Sequence, residues 1–292
     1  MKIAEARANG GRFGGFLAKA LAIGPARLTL IFIGIIVLFM AVVPSLFSPY
    51  SPFAIDASSI LLPPSLAHPL GTDETGTDVW ARIVYSTRLE LIIAGGSVMV
   101  ALVIGLPTGL IAGNSGRFVD GAMTSVASAT LAFPLVLFAI LMVASFGTTS
   151  LSLTVIIGFL FFPRAFLLMR AQTRSLRERE FVIALLVGGV RPVRILGLHI
   201  LPNAAGPLLT LIPTLMAEAI LIEAGLSYLG LGVDLPASTW GTILEASKNY
   251  YVTSPWYAVS AGLVITFVAA VLMFAGELIA ESANPLRRRR RS

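Results

Sequence analysis

The 292 residues hold few side chains able to do chemistry: 15 acidic residues, two histidines and no cysteine. There is no Gly-x-x-x-x-Gly-Lys phosphate loop, so the chain is not expected to hydrolyse nucleotide. There is no Gly-x-Ser-x-Gly nucleophile elbow. Gly230-Leu231-Gly232-Val233-Asp234 approaches a Gly-x-Gly-Asp intramembrane aspartyl sequence. It has one residue too many and lacks a second Asp in an apolar stretch. Without cysteine there are no disulfides and no thiolate metal sites. No catalytic or metal-ligating set is expected, and the chain reads as a non-enzyme. What remains is charge placed in unusual company: Asp73 and Asp78, Glu218 and Glu223, and a run of arginines around Glu180.

Asp73 and Asp78 end two Gly-Thr-Asp triplets, Gly71–Asp73 and Gly76–Asp78. Such triplets supply turns and helix N-caps. The two carboxylates either cap a helix or meet a partner at an external gate. Glu218 and Glu223 stand inside an apolar stretch. An ionisable residue there costs ~2.5–3.5 kcal/mol on insertion scales, so it faces protein or water. Being five apart, the two point in different directions. Glu223 and Ser227, one turn on, are either structural or line a subunit interface or a translocation pathway.

The elements that must position these groups follow from composition. The chain is 56% hydrophobic and 12% charged, about half the charged share of a soluble domain. It reads as an all-α integral membrane protein. About 20 apolar residues cross ~30 Å of hydrocarbon, and six such stretches are expected: 28–47, 89–112, 119–146, 150–169, 204–232 and 258–281. A cytoplasmic tail (1–27) precedes the first span. A Pro-rich external loop (48–87) follows it. A core of five spans (88–282) contains a loop at 170–203, and a basic tail (283–292) ends the chain. With the N-terminal tail, the 113–118 turn, the stretch 164–203 and the C-terminal tail taken as one side, 18 of the 21 Lys and Arg fall there, Arg164 at the end of its span included; Arg82, Arg88 and Lys248 fall on the other. By the positive-inside rule both termini and the 170–203 loop are cytoplasmic. His68 and His199 then lie on opposite sides of the membrane. The Arg287–Arg291 run is placed to bind anionic lipid rather than nucleic acid.

Ser97, Ala101, Gly105, Gly109 and Gly113 are each four apart. Such a stripe lets helix backbones approach closely in lipid. Pro107 is expected to kink this span. Gly113 also ends it, where an alanine is expected to be mild. Gly121, Ser125 and Ala129 form a second stripe and are expected to pack within the bundle.

Arg170 to Asn203 is the longest basic stretch between apolar ones. Ser175–Val187 lacks Gly and Pro and reads as a helix. Gly188-Gly189 offers a left-handed C-cap, Pro192 suits a helix start, and Pro202 closes the second helix. Phe181, Ala184, Leu185 and Gly188 share one face, and Val193, Leu196 and Ile200 another. Either these faces pack on the chain's own helix ends, or a stiff helix pair waits for a partner.

The pattern Ile183-Ala184-Leu185, then Gly189, then Leu201-Pro202, resembles the cytoplasmic Glu-Ala-Ala motif of ABC importer permeases. Ile183 stands for the usual Glu, and Leu185 for the last Ala. Arg179-Glu180-Phe181-Val182 and His199–Asn203 are similar to the dipeptide/oligopeptide/nickel branch. So is His68-Pro-Leu-Gly-Thr-Asp73, where Thr77 replaces the usual Arg. Glu223–Gly232 with Pro236 and Trp240-Gly241 matches it again. These matches come in the expected order.

The resemblance implies the second-permease type of that branch, with the type I importer fold: six transmembrane helices and a cytoplasmic coupling helix. It implies a multi-pass protein of the bacterial inner membrane. The implied partners are a sister permease, two ATP-binding subunits and an extracytoplasmic substrate-binding protein. No cofactor is expected in this chain, since ATP and Mg belong to the ATPase subunits. The implied coupling residues are Arg177, Arg179, Glu180, Phe181, Ala184, Leu185, Gly188, Gly189, Arg191, Pro192 and Arg194. Di- or oligopeptides are the expected cargo; nickel, glutathione or another small solute is the alternative. A different class, an ATP-independent channel or secondary transporter, would show matching broken helices in two halves, and no such pairing is visible.

Overall fold

The computed structural model describes residues 25–234 and 236–283. The readings made of the terminal tails, including Arg287–Arg291, lie outside these residues. The described chain is helix and loop throughout, apart from an isolated bridge between Thr72 and Asp78.

The first helix, α1 (Pro25–Val42), stops earlier than the expected Phe47. Val43 precedes Pro44, which disfavours helical dihedrals, and it sits at φ −129°, ψ 66°. The apolar part, Leu28–Val42, is ~22 Å long at 1.5 Å per residue. α2 (Val79–Asn114) begins well inside the stretch read as loop, because Asp78 caps it by accepting from the Ala81 N–H at 2.7 Å. It runs through Pro107 without a break in the helix. There the Thr108 hydroxyl donates to the carbonyls of Ile104 (2.6 Å) and Gly105 (3.2 Å).

The expected span at 119–146 is two helices. α3 (Arg117–Ala132) and α4 (Leu135–Phe146) meet at 92°. Pro134 forces the turn, since Phe133 before it is held extended at φ −77°, ψ 138°. α5 (Ser150–Arg177) is capped by Thr149, which accepts from the Ser152 N–H at 3.1 Å. It outruns its expected end at 169. Then come α6 (Glu180–Val187), α7 (Pro192–Ile195), a wide π turn at Leu196–Ile200 and a single turn at Leu201–Asn203. α8 (Ala205–Leu226) continues through a second π turn, Ser227–Leu231. α9 (Trp240–Ala246) and α10 (Pro255–Ala283) follow. Among the described residues four helices are long and apolar enough to cross a membrane: α2, α5, α8 with its π turn, and α10. The bent α3–α4 pair makes a fifth if it counts as one span.

The core is built on α2 against α5. A methyl group placed on Gly105 would come within 2.6 Å of the Ala165 Cβ, and one on Gly109 within 2.6 Å of the Phe166 carbonyl. A methyl group on Gly113 would come within 2.6 Å of the Thr173 Cβ and 2.8 Å of the Arg170 carbonyl, so alanine there is not mild. From the other side Gly158 meets Val100, and the Ser97 hydroxyl donates to the Thr154 carbonyl at 3.1 Å. The second stripe behaves differently. Gly121, Ser125 and Ala129 are exposed, and nothing lies within 4 Å of where a Gly121 Cβ would stand. That face of α3 is not used for packing among the described residues.

Candidate functional site

The helix pair at 179–195 is a stiff hairpin with a defined inner face. α6 starts at Glu180, not at Ser175, because α5 runs on to Arg177 and Arg179 is extended at φ −77°, ψ 142°. Its end is a Schellman turn: Val190 N–H donates to the Leu185 carbonyl (3.0 Å) and Gly189 N–H to Leu186 (3.1 Å). Gly189 carries the left-handed conformation at φ 76°, whereas Gly188 stays at φ −71°. Pro192 opens α7, where its missing N–H costs nothing. Pro202 does not close the second helix. The π turn before it widens the backbone, and helical dihedrals continue through Ala204 into α8.

Val182, Ile195 and Ile200 form a buried cluster with Met169, Ala204 and Leu208. Of the two fates open to the Phe181, Ala184, Leu185 and Gly188 face, packing on the chain's own helices holds only for Leu185. Val182 is 1% exposed and Leu185 half-buried, while Phe181, Ala184 and Gly188 lie outside. The sequence Glu-Phe-Val-Ile-Ala-Leu-Leu-Val is apolar almost all round, so its periodicity does not select a side. The uncovered side keeps Val187 at 84% and Val193 at 81% exposure. Arg179, Glu180, Arg191, Pro192 and Arg194 are also exposed, and no salt bridge engages these charges among the described residues. Gly188, Gly189, Arg191 and Arg194 help line a cleft of 640 Å³ between the helix ends. Arg177 fixes the stem, donating to the Asn114 carbonyl at the end of α2 (2.9 Å).

The 48–87 loop is tied inward. Asp73 Oδ1 accepts from the N–H groups of Thr75 (2.8 Å) and Thr77 (2.9 Å), and its Oδ2 meets Arg82 at 2.6 Å. Asp78 Oδ2 contacts the His68 ring at 2.9 Å while Oδ1 caps α2. Both carboxylates are buried, at 0% and 3% exposure. Thr77, in place of an arginine, is buried too, and its hydroxyl donates to the Ala54 carbonyl at 2.8 Å. Asp56, at the exposed edge, accepts from the hydroxyls of Ser58 (2.6 Å) and Ser59 (2.7 Å). These bonds, that from Ser58 foremost, hold its carboxyl below the usual carboxylate range.

Glu223 is wholly buried. Its Oε1 accepts from Ser227 and Thr239, each at 2.7 Å. Glu90 on α2 is buried too and accepts from the N–H of Trp240, the residue after Thr239, at 3.2 Å. Glu90 Oε1 and Glu223 Oε2 have no hydrogen-bond partner among the described residues. The pair joins α2, α8 and α9 at one point. Sequence reasoning missed Glu90, which lies 150 positions from its partner Trp240. It also missed two ion pairs. Arg170 forks onto both oxygens of Asp120, which pins α3 to α5, with Arg174 3.4 Å away. Arg164 pairs with Glu218. A signal was present: a charge inside an apolar stretch needs a polar or oppositely charged partner, and Arg164 and Glu218 both stand in such stretches.

Residues 105–289 match the family model described as binding-protein-dependent transport system inner membrane component. The dipeptide transport system permease protein DppC of Alkalihalophilus pseudofirmus is 34% identical over 257 residues, covering 87% of this chain and 84% of that protein. A Brucella suis biovar 1 protein named for a peptide transport system permease is 32% identical, covering 87% of this chain and 86% of its own. Among solved structures, an inward-facing form of the MetNI methionine ABC transporter superposes with a TM-score of 0.55 at 16% identity. It covers 69% of this chain and 95% of that one, a likeness of fold.

Proposed function

We propose that this chain, which belongs to the family of binding-protein-dependent transport system inner membrane components, is a permease subunit of an ATP-driven importer of di- or oligopeptides. Its relatives named for dipeptide and peptide transport support the cargo. The bundle crosses the membrane six times, with α1 as the first span and α3–α4 as a bent one. Both termini and the α6–α7 hairpin face the cytoplasm, in keeping with the one-sided distribution of Lys and Arg.

The observation that carries the coupling assignment is the uncovered side of α6–α7. Phe181, Ala184, Val187 and Val193 are exposed on a hairpin whose other side is sealed onto the body by Val182 and Ile195. Apolar side chains ringed by unpaired Arg179, Arg191 and Arg194 suit a protein groove. A hairpin locked by a Schellman turn moves as one piece. The partners in this reading are two ATP-binding subunits below, a sister permease beside it, and a soluble binding protein outside. ATP and Mg are handled by the ATPase subunits, and this chain holds no cofactor. Glu223 and Ser227 serve the joint between α2, α8 and α9 and through it the external end of the pathway.

The test is assembly and transport. The chain, coexpressed with its sister permease and the ATPase, should co-purify as one complex. Phe181→Asp, on the exposed side of α6, should release the ATPase while both permeases stay together. An ATPase that stays bound to Phe181→Asp would contradict the docking side assigned here.

A further inference from the structure

We propose that Arg164 and Glu218 form a charge-pair recognition point in the transport path, one that reads the two termini of a short zwitterionic peptide. The inference rests on the peptide-import reading above and names the residues of this chain that select the cargo. Arg164 would take the terminal carboxylate and Glu218 the terminal ammonium.

Depth comes first. Arg164 lies ~21 Å along α5 from Ser150, and Glu218 ~20 Å along α8 from Ala205. Since α5 and α8 run in opposite directions, the pair stands well inside a hydrocarbon layer of ~30 Å. Exposure comes next. The two side chains are 40% and 31% accessible, while Phe161, Pro163, Ala165 and Phe166 beside Arg164 are buried. A charged pair open to lipid at that depth is too costly, so the opening is to water or to protein.

The pair is also unsaturated. Among the described residues, one guanidinium nitrogen meets one carboxylate oxygen, and the face of the Phe161 ring lies 5.7 Å from the Arg164 Cζ. A guanidinium has five N–H donors and a carboxylate four lone-pair sites. Most of both remain for a ligand. Finally, a cavity lies one helical turn from the pair, although neither Arg164 nor Glu218 lines it. Leu168 is one turn beyond Arg164, and Thr214 one turn before Glu218. Both line a cleft of 570 Å³ between α5, α8 and α10, with Thr210 and Glu277 further along it. That volume is within the range that holds small ligands, ~300–1,000 Å³. A partly exposed cation beside a partly exposed anion, a turn from such a cleft, is complementary to a molecule carrying both charges.

The experiment uses the whole complex in proteoliposomes with ATP and the binding protein. It compares uptake of dialanine, N-acetyl-dialanine and dialanine amide. Wild type should prefer the zwitterion. Arg164→Gln should raise KM for dialanine on the order of tenfold and abolish discrimination against the amide, and Glu218→Gln should do the same for the acetylated form. The exchanged pair, Arg164→Glu with Glu218→Arg, should not restore selectivity. Two results would overturn the proposal: wild type taking all three peptides equally well, or single variants losing all uptake equally with the exchange restoring it, as a purely structural ion pair would. The first needs no variant to fold. A wild-type complex that moves none of the three while importing another solute would overturn the peptide reading itself, and this proposal with it.

Discussion

Gly189 is the residue on which coupling is most sharply testable. Its φ of 76° places it where a β-branched side chain is strained, at a cost of roughly 1–2 kcal/mol. Nothing lies within 4 Å of its missing Cβ, so the whole cost is conformational. Gly189→Val should leave the chain in the membrane and paired with its sister, yet weaken ATPase docking or uncouple hydrolysis from uptake. Gly116→Ala is the control, because Gly116 has ordinary extended dihedrals and open space around it. In the loop before α2, Asp73→Asn removes the anion that faces the half-buried Arg82. Breaking such a pair costs about 3–5 kcal/mol when it is fully buried. The expected outcome is less assembled complex, seen as a lower yield in gel filtration; full yield with reduced uptake would favour a docking role. Asp56 gives a pH prediction. Its carboxyl is held below the ordinary 3.8 by Ser58 and Ser59. A depressed carboxylate contributes stability above its unfolded pKa and loses it as pH falls through the folded one. Protease sensitivity of the 54–60 loop should therefore be flat from neutral pH down to about 4 and rise only below 3.8. At this scale the sequence made the glycines and prolines legible, because turn chemistry is local. It left Glu90, Asp120 and Arg164 without partners, because pairing across 50 to 150 positions is set by helix packing.

Helices α2 and α5 show what close approach contributes. Gly105, Gly109 and Gly113 put backbone against backbone, and the spacing of four announced it in the sequence. Gly109→Leu should force the helices apart and lower the melting temperature of the purified complex; an unchanged melting temperature would contradict the packing described. The same spacing at Gly121, Ser125 and Ala129 gives no packing among the described residues. A stripe states that a helix can be approached, not by what. The bend at Pro134 was missed for a related reason. Hydropathy is continuous from 119 to 146, and only the restriction on Phe133 before proline breaks it. Which face of α6 turns inward stayed open because an almost wholly apolar octet carries no phase. Helix existence was legible from composition; helix ends and facing depended on caps and neighbours.

For the whole molecule, the one-sided charge distribution predicts an orientation that labelling can check. A cysteine at Ser58 should react with an impermeant reagent from outside, and one after Ser292 only once the membrane is opened. The reverse at both sites would turn the hairpin away from any cytoplasmic ATPase. The central claim is that α6–α7 transmits ATP-driven work to a peptide path through this bundle. It is tested most directly by peptide uptake in vesicles holding both permeases, the ATPase and the binding protein. Labelled dipeptide should accumulate above its external concentration only when the ATPase side has hydrolysable ATP, and Gly189→Val should abolish accumulation while hydrolysis persists or the ATPase falls away. Equal uptake without ATP, or full ATP-dependent accumulation by Gly189→Val, would contradict it.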